Sequence, residues 1–369
     1  MDTDLLIALG GVVVIVTAGF FGYGKWQETR SRRTLERTLH TPSHDPLLDA
    51  GERGPGDAPG SDFTEEEGVL GPAHRVAPRR EPAAEAGFAR TPRHHPDSLK
   101  EGVDLMVRLE SLGGMDAAAL REAVMREFRD SPRPVGWYVF DDASNDWQPL
   151  TAKTEGQYHL ALASLQLADR TGAIGEKEYL RFTGGVERVA DHLGAVPGAI
   201  ESRVTVLERA AALDRFCAEV DVQIAVNVVP RNAPIPGTKI RAAAEAAGLT
   251  LGEDGLYRLL DDHRVPLYAL ADLDGRPLRQ PDIKLHQANG VTLFLEVTRI
   301  PSPVVFDRMF TFAEKLAATL DGQLVDDAGN PLTPEAGRLI RERIAQIHQR
   351  MKAQEIPPGS AIARRLFAG

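Results

Sequence analysis

An uncharged apolar stretch near the N-terminus constrains the fold of this chain more than any other feature. Residues 5–23 read LLIALGGVVVIVTAGFFGY and contain no acidic or basic side chain. A helix of about 20 apolar residues is needed to cross the ~30 Å hydrocarbon core of a bilayer. The stretch therefore predicts a single transmembrane helix, and we assign residues 1–26 to an N-terminal membrane anchor.

The charges on either side of this stretch predict its orientation. Asp2 and Asp4 precede it, whereas the residues that follow it are basic: Lys25, Arg30, Arg32, Arg33 and Arg37. Because cytoplasmic flanks carry the excess of Lys and Arg, the N-terminus is expected outside and the remainder in the cytoplasm. A cleaved signal peptide is the alternative, but it would carry its positive charge before the apolar run.

Residues 27–100 differ in composition from the rest of the chain. They are crowded with Pro, Gly, Ala and charged side chains, and almost no apolar periodicity remains. Such a segment buries too little apolar surface to offset the entropy lost on ordering. We predict a disordered linker, which as a flexible coil spans on the order of 50 Å on average.

Periodic patterns begin after residue 100 and run through two similar series. Alternating apolar residues at 103–109 and again at 222–228 predict strands, and helical spacing follows each of them. We predict an α+β head of split β-α-β units, in which a mostly antiparallel sheet packs on helices. The predicted parts are a first subdomain at 101–200, a connecting helix at 201–220, a second domain at 221–355 and a flexible tail at 356–369.

The two series suggest diverged copies of one β-α-β-β-β-α unit. Gly255-Leu256-Tyr257 corresponds to Gly136-Trp137-Tyr138, and Asp261-Asp262 corresponds to Asp141-Asp142. Only the second copy is expected to add a strand, at 322–325, and a helix opened by Thr333-Pro334, since Thr as N-cap followed by Pro is a specific start signal. Chance similarity between two ordinary α/β stretches is the alternative.

The sequence contains no constellation that predicts catalysis. Nucleotide-binding, hydrolase and zinc-protease motifs are absent. The single cysteine, Cys217, excludes an internal disulfide and lies on the apolar stripe of the connecting helix, which predicts a core residue. The Asp261-Asp262 and Asp326-Asp327 pairs lie beside turn residues, where Asp favours turns. We therefore predict no catalytic, cofactor-binding or metal-binding residues, and a binding protein rather than an enzyme.

The charge of the chain also excludes one class of partner. The formal net charge is −10, and no long basic run is present. Because nucleic-acid affinity depends on neutralising phosphates with Lys and Arg, this balance argues against nucleic acid as a partner.

Several stretches between residues 222 and 359 occur in a characteristic order. They are the strand VQIAVNV at 222–228, AGLTLG at 247–252, Leu256-Tyr257, PLYALADL at 266–273, GVTLF at 290–294, Val325-Asp326-Asp327 and Leu332-Thr333-Pro334. This region resembles the C-terminal domain of the ZipA family, membrane-tethered cell-division proteins that bind FtsZ. The resemblance implies a sheet with helices on one face and a shallow apolar groove on the other, which takes the C-terminal tail peptide of FtsZ.

Strand alternation assigns the residues of this sheet to its two faces. The core face should carry Val222, Ile224, Val226, Tyr257, Leu270, Val291, Leu293 and Leu295. The open face, and with it the implied partner-binding surface, carries Gln223, Ala225, Asn227, Leu256, Ala269, Ala271, Leu273, Thr292 and Phe294. Ala271, Leu273 and Phe294 fall at the groove positions of the family.

The sequence departs from the family pattern at Gln223 and Asp254, which are polar where the resemblance implies apolar side chains. The groove is therefore expected to be narrower or more polar. An ordinary solvated sheet surface, or one covered by the first copy, is the alternative for this face.

The resemblance implies a function that uses each part of the chain. The protein would tether FtsZ polymers to the inner membrane at the division septum, with no cofactor, and its first copy could dimerise or bind another division protein. The alternative is a membrane-anchored enzyme or small-ligand sensor with a site between the two α/β units.

Overall fold

A computed structural model of the protein describes residues 94–279 and 282–368. Two antiparallel sheets, each with helices on one face, account for most of these residues. The predicted anchor and most of the predicted linker lie outside the described residues. Within the part of the chain that the structure describes, no helix combines the length and the apolar character needed to span a bilayer.

The first unit is an α+β fold built on a five-stranded sheet. Its elements are β1 (Asp104–Asp116), α1 (Ala117–Phe128), β2 (Val135–Asp141), β3 (Asp146–Pro149), β4 (Gln157–Gln166), β5 (Ala168–Asp169), β6 (Gly172–Ala173), α2 (Glu176–Leu193) and β7 (Val196–Pro197). The strand order is β3-β2-β4-β1-β7, and β5 pairs only with β6. As the alternation predicts, the core-facing residues Leu105, Val107 and Leu109 are fully buried.

Helix α3 (Arg203–Val220) connects the two units. It begins after Ser202, whose hydroxyl accepts a hydrogen bond from the Thr205 amide at 3.3 Å. Such a cap satisfies one of the amides that a helix start leaves unpaired. The buried side of α3 includes Cys217, which is 7% exposed, so the cysteine packs in the core as predicted.

The second unit contains a six-stranded sheet. Its elements are β8 (Gln223–Pro230), β9 (Ile235–Pro236), α4 (Gly237–Ala246), β10 (Thr250–Leu251), β11 (Tyr257–Leu260), β12 (Pro266–Asp272), a 3-10 turn (Asp282–Lys284), β13 (Gln287–Ala288), β14 (Val291–Glu296), α5 (Val304–Thr319), β15 (Gly322–Val325) and α6 (Pro334–Ala353). The strand order is β10-β11-β12-β14-β8-β15, and β9 pairs with β13.

The predicted core face of this sheet is buried, with one exception. Ile224, Val226, Leu270, Leu293 and the other assigned residues are at most 7% exposed. Val222 is only half-buried, because it precedes β8 at the junction with α3.

The two units share an arrangement but not a strand order. In each, the first strand of the sheet lies between the last two, as β4-β1-β7 and as β14-β8-β15. The hairpins β2-β3 and β11-β12 differ in which strand lies inside the sheet. In the first unit the earlier strand, β2, pairs with β4, whereas in the second unit the later strand, β12, pairs with β14. The predicted correspondence between Gly136-Trp137-Tyr138 and Gly255-Leu256-Tyr257 therefore joins strands in different positions. Local sequence patterns predict a hairpin, but they do not predict which of its two strands pairs with the rest of the sheet.

The strand predicted for the second unit alone has a counterpart in the first. The two-residue strand β7 pairs antiparallel with β1, as β15 pairs antiparallel with β8. Strand β7 was not predicted, because two residues carry no periodicity.

The C-terminal segment is not the flexible tail that the sequence predicts. Residues Ala361–Leu366 form α7, which is capped by Ser360 through a 3.2 Å hydrogen bond from the Ala363 amide. Leu366 and Phe367 are buried. A six-residue helix is too short to give a recognisable apolar stripe, and its stability comes from packing against the rest of the unit.

The end of the predicted linker is also structured. Residues 94–100 lie on the face of the first sheet that the helices leave open, where Leu99 packs with Phe140, Trp147, Leu160 and Leu162. The Trp147 indole donates to the His94 carbonyl at 2.9 Å. The first unit therefore includes residues 94–100, which the sequence assigns to the linker.

Candidate functional site

The candidate site is the open face of the second sheet, the face opposite α4 and α5. Strand pairing places Ala269, Phe294 and Ala225 side by side on β12, β14 and β8. A second row contains Ala271, Thr292 and Asn227. The structure thus brings six of the nine predicted residues together as immediate neighbours, because antiparallel register aligns residues of equal parity on one face.

A cavity of about 200 Å³, here called the sheet pocket, lies at one end of this face. Among its lining residues are Leu256, Ala269 and Phe294, which the sequence predicts, and Arg258, Glu296 and Arg299, which it does not. Ala269 is 5% exposed, so it forms part of the pocket floor and offers little contact surface of its own.

The charged residues around the sheet pocket are paired with one another. Arg258 contacts both carboxylate oxygens of Asp254, at 2.8 and 2.5 Å. Hydrogen bonding to Arg258 holds the pKa of the Asp254 carboxyl below its usual range. Asp254 departs from the apolar family pattern. Its charge is neutralised by Arg258 on the next strand, β11.

An apolar track runs along β12 from the sheet pocket. It consists of Ala269, Ala271 and Leu273, which follow each other at every second residue and share the open face. Leu273 is 37% exposed. It packs over Gly290, where an added Cβ would lie 2.8 Å from Leu273 Cδ2 and 2.9 Å from the Val228 carbonyl oxygen, so the absence of a side chain at 290 is what makes room for Leu273.

Asn227, one of the predicted partner-binding residues, is buried. It is 6% exposed. Its amide nitrogen donates to Asp327 Oδ1 at 3.1 Å, and its amide oxygen accepts from the Thr292 hydroxyl at 2.7 Å. The turn after β15 therefore covers the β8 end of this row, so Asn227 offers little surface to a partner.

Asp326 and Asp327 have the turn role that the sequence predicts. Asp326 Oδ1 accepts from the amides of Ala328 and Asn330 at 2.9 and 2.8 Å. Desolvation raises the pKa of the Asp327 carboxyl, and the neighbouring Asp326 charge acts in the same direction. Both acids therefore serve to hold the turn over Asn227.

Gln223 does not line the sheet pocket itself, but it is the cross-strand partner of Glu296, which does. Gln223 lines a second cavity of about 240 Å³ together with Arg170, Cys217 and Phe367. Arg170 of the first unit reaches Glu296 and Asp221 at 2.8 Å each. The first unit thus borders the open face at this end. Leu256, Ala271, Leu273, Thr292 and Phe294 retain solvent exposure.

The cavity between the units does not have the features of a nucleophilic site. Burial, with smaller contributions from Asp221 and Asp214, raises the pKa of the Cys217 thiol to about 12. A reactive cysteine needs the opposite shift. Over the ranges that the structure describes, no three His, Cys, Asp or Glu side chains are grouped so as to hold a metal ion.

An apolar track on a sheet face, bordered by neutralised charges, is typical of a protein-binding domain. Residues 222–343 match the family described as ZipA, C-terminal FtsZ-binding domain. The match covers about a third of the 369 residues and contains all nine residues predicted for partner binding.

The resemblance noted in the sequence is thereby confirmed for residues 222–343. This family is a protein-binding family of cell division and not an enzyme family, and the match supports an FtsZ-binding role in division. No curated protein matches the chain.

Proposed function

We propose that this protein tethers FtsZ polymers to the inner membrane by holding the FtsZ C-terminal tail peptide on the open face of its second sheet. The observation that carries the proposal is the apolar track along β12, which lies within the residues that match the FtsZ-binding family. Residues 1–26 serve as a single-pass anchor with the N-terminus outside, and the linker gives the head its reach toward polymers at the septum.

The peptide lies along the β12 track in this proposal. Alanines at 269 and 271 allow its backbone to approach the sheet closely. Phe294 and Leu256 hold one apolar side chain of the peptide at the sheet pocket, and Leu273 holds a second at the other end. Fully burying one such side chain contributes about 2 kcal/mol. Micromolar affinity needs a net of about 8 kcal/mol after the costs of association, so backbone and rim contacts along the track must supply the part that the two anchors do not.

The contact set is smaller than the one that strand alternation suggests. We assign binding to Leu256, Ala271, Leu273 and Phe294, with Ala269 as part of the pocket floor. Arg258 borders the pocket, where it is paired with Asp254 and keeps 28% of its side chain exposed. Ala225 and Thr292 lie beside the track, and Gln223 and Asn227 act in the structure around it.

Modest affinity at a single site is sufficient for a tether. An FtsZ polymer presents many tails, and the anchors confine many heads to one membrane surface. Successive contacts then form at high effective concentration, so the assembly is held more strongly than any one contact.

A titration of a fluorescent FtsZ C-terminal tail peptide into the full chain tests the groove. Phe294→Ala and Leu273→Asp are each expected to weaken binding about tenfold or more, because each removes an apolar anchor. Leu339→Asp is the matched control, since Leu339 is an exposed leucine on α6 (46% exposed). Absence of binding, or equal binding by the two groove variants and wild type, would overturn the groove assignment.

The anchor is tested separately from the groove. Deletion of residues 1–26 should abolish sedimentation with membranes while leaving the affinity for the tail peptide unchanged. Retention on membranes after this deletion would place the attachment elsewhere in the chain.

A further inference from the structure

A groove of about 930 Å³ lies on the other side of the second sheet, between α4 and α5. It is larger than the sheet pocket and the cavity that Gln223 lines. The sheet itself separates it from the β12 track. One wall is α4, the other wall is α5, and Tyr268 of β12 lies on its floor. Here it is called the helix groove.

The α4 wall consists of small side chains on one face of the helix. Ala242, Ala243, Ala246 and Ala247 all line the groove, at spacings of three and four that place them on one stripe. Packed helices lie about 8–10 Å apart, and the side chains at the contact set that distance. An alanine wall therefore accepts another helix at close range.

The floor of the helix groove is aromatic and apolar. Tyr268 is 5% exposed, and its ring centroid lies 6.4 Å from that of Phe312 on α5. Leu316 lies one turn further along α5 and is almost fully buried. Apolar side chains inserted between α4 and α5 would meet this floor and lose their exposure to water.

The rim of the helix groove is cationic. Lys239, Arg308 and Lys315 line it and are exposed, and none of the three forms an ion pair with another residue that the structure describes. The one acid in the lining, Asp307, is paired with Arg341 of α6 at 2.9 Å. The rim thus presents three positive charges without compensation over an apolar floor.

We propose that the helix groove binds an amphipathic helix of a partner protein, with an apolar stripe flanked by Asp or Glu. The alanine wall and the aromatic floor fit the stripe, with anchors at i, i+3 or i+4, and i+7. The cationic rim selects carboxylates on the flanks of that helix. The α4 wall from Lys239 to Ala247 is about 12 Å long at 1.5 Å per residue, which suits a helix of two to three turns.

This proposal goes beyond FtsZ binding and does not depend on it. The track on β12 and the helix groove lie on opposite faces of one sheet. A second partner can therefore bind while the FtsZ tail is in place, which would give the head two independent attachments.

The test is to pan a library of displayed helical peptides on the full chain in detergent micelles. Enriched peptides are expected to carry apolar residues at helical spacing with acidic flanks. Their affinity should fall at least tenfold for Ala246→Trp, which fills the groove, and remain unchanged for Ala318→Trp. Ala318 is the matched control because it is an exposed alanine on α5 that does not line the groove.

A second pair of variants tests the charge. Lys315→Glu should weaken the same peptides at least threefold, whereas Lys352→Glu on α6, outside the groove, should not. Thermal unfolding of each variant verifies that it folds, so the test does not rely on FtsZ binding. Enrichment of no peptide sensitive to Ala246→Trp, or of peptides with basic flanks, would overturn the proposal. A third outcome would also overturn the proposal: the chain binds phosphatidylglycerol vesicles, Ala246→Trp blocks that binding, and no peptide binds in a way that Ala246→Trp weakens.

Discussion

Arg365 of α7 and Asp104 of β1 form a two-pronged ion pair, in which two N–O contacts measure 2.7 Å each. The Asp104 side chain has no exposed surface, whereas Arg365 is 32% exposed. Arg365 also donates to Gln166 at 2.9 Å and to the Ser98 carbonyl at 3.1 Å. The last turns of the chain therefore hold the first strand of the head and the segment that enters it.

Replacing Arg365 by alanine should destabilise the head. The change leaves the Asp104 carboxylate buried without a compensating charge, and breaking a buried pair in this way costs about 3 kcal/mol or more. We expect the free energy of unfolding from urea titration to fall by about that amount.

Arg364→Ala is the matched control for this prediction. Arg364 is the adjacent residue of α7, and its guanidinium donates to the Gly359 carbonyl five residues away, at 2.6 Å. The loss of this hydrogen bond should lower the free energy of unfolding by about 1 kcal/mol. Equal losses from both variants would show that the ion pair contributes nothing beyond an ordinary side-chain contact.

Thr292→Val separates stability from binding on the open face. The change removes the 2.7 Å hydrogen bond to the buried Asn227 amide oxygen, and an unsatisfied buried acceptor costs about 1–2 kcal/mol. The free energy of unfolding should fall accordingly, while the affinity for the FtsZ tail peptide should change less than threefold. A tenfold loss of affinity in a variant that remains folded would return Thr292 to the contact set.

His348 should make the stability of the head depend on pH. It is 3% exposed, its Nε2 lies 2.8 Å from the Val297 carbonyl oxygen, and burial lowers its pKa from 6.5. The folded state therefore favours the neutral ring. Since the unfolded state binds the proton more readily, this contribution is complete above pH 6.5 and is lost as the pH falls below it.

Urea titrations between pH 7.5 and 5.5 measure this dependence. His348→Gln should flatten the decline, because glutamine can still donate to the Val297 carbonyl but does not titrate. His192→Gln, at an exposed position in the last turn of α2, should leave the decline in place. Identical slopes for wild type and His348→Gln would contradict the assignment.

Cys217 should be inert in the folded protein. Its pKa of about 12 leaves almost no thiolate at pH 8, and its side chain is buried. Reaction with Ellman's reagent should be at least a hundredfold slower in buffer than in denaturant. As a control, Val204→Cys in a Cys217→Ala background places a thiol at an exposed position of the same helix (Val204 is 62% exposed), and it should react rapidly under both conditions.

Features set by neighbouring residues were predictable from the sequence. Alternation assigned Ile224, Val226 and Leu293 to the core, and each is at most 7% exposed. Thr333-Pro334 predicted a helix start, and α6 begins at Pro334 with the Thr333 hydroxyl accepting from the Ala336 amide at 3.2 Å. In both cases the cause acts within one turn or one strand, so a short window of sequence contains it.

The sequence by itself thus determined the class of the fold, the faces of its strands and the resemblance of residues 222–343 to an FtsZ-binding domain. Only the tertiary structure decided which of those faces remain open. Asn227 is covered by a turn 100 positions away in the sequence. Leu99 packs on the open face of the first sheet. The groove between α4 and α5 exists because two helices that are distant in sequence stand apart. Alternation defines which side a residue points to, but contacts between distant segments define what lies on that side.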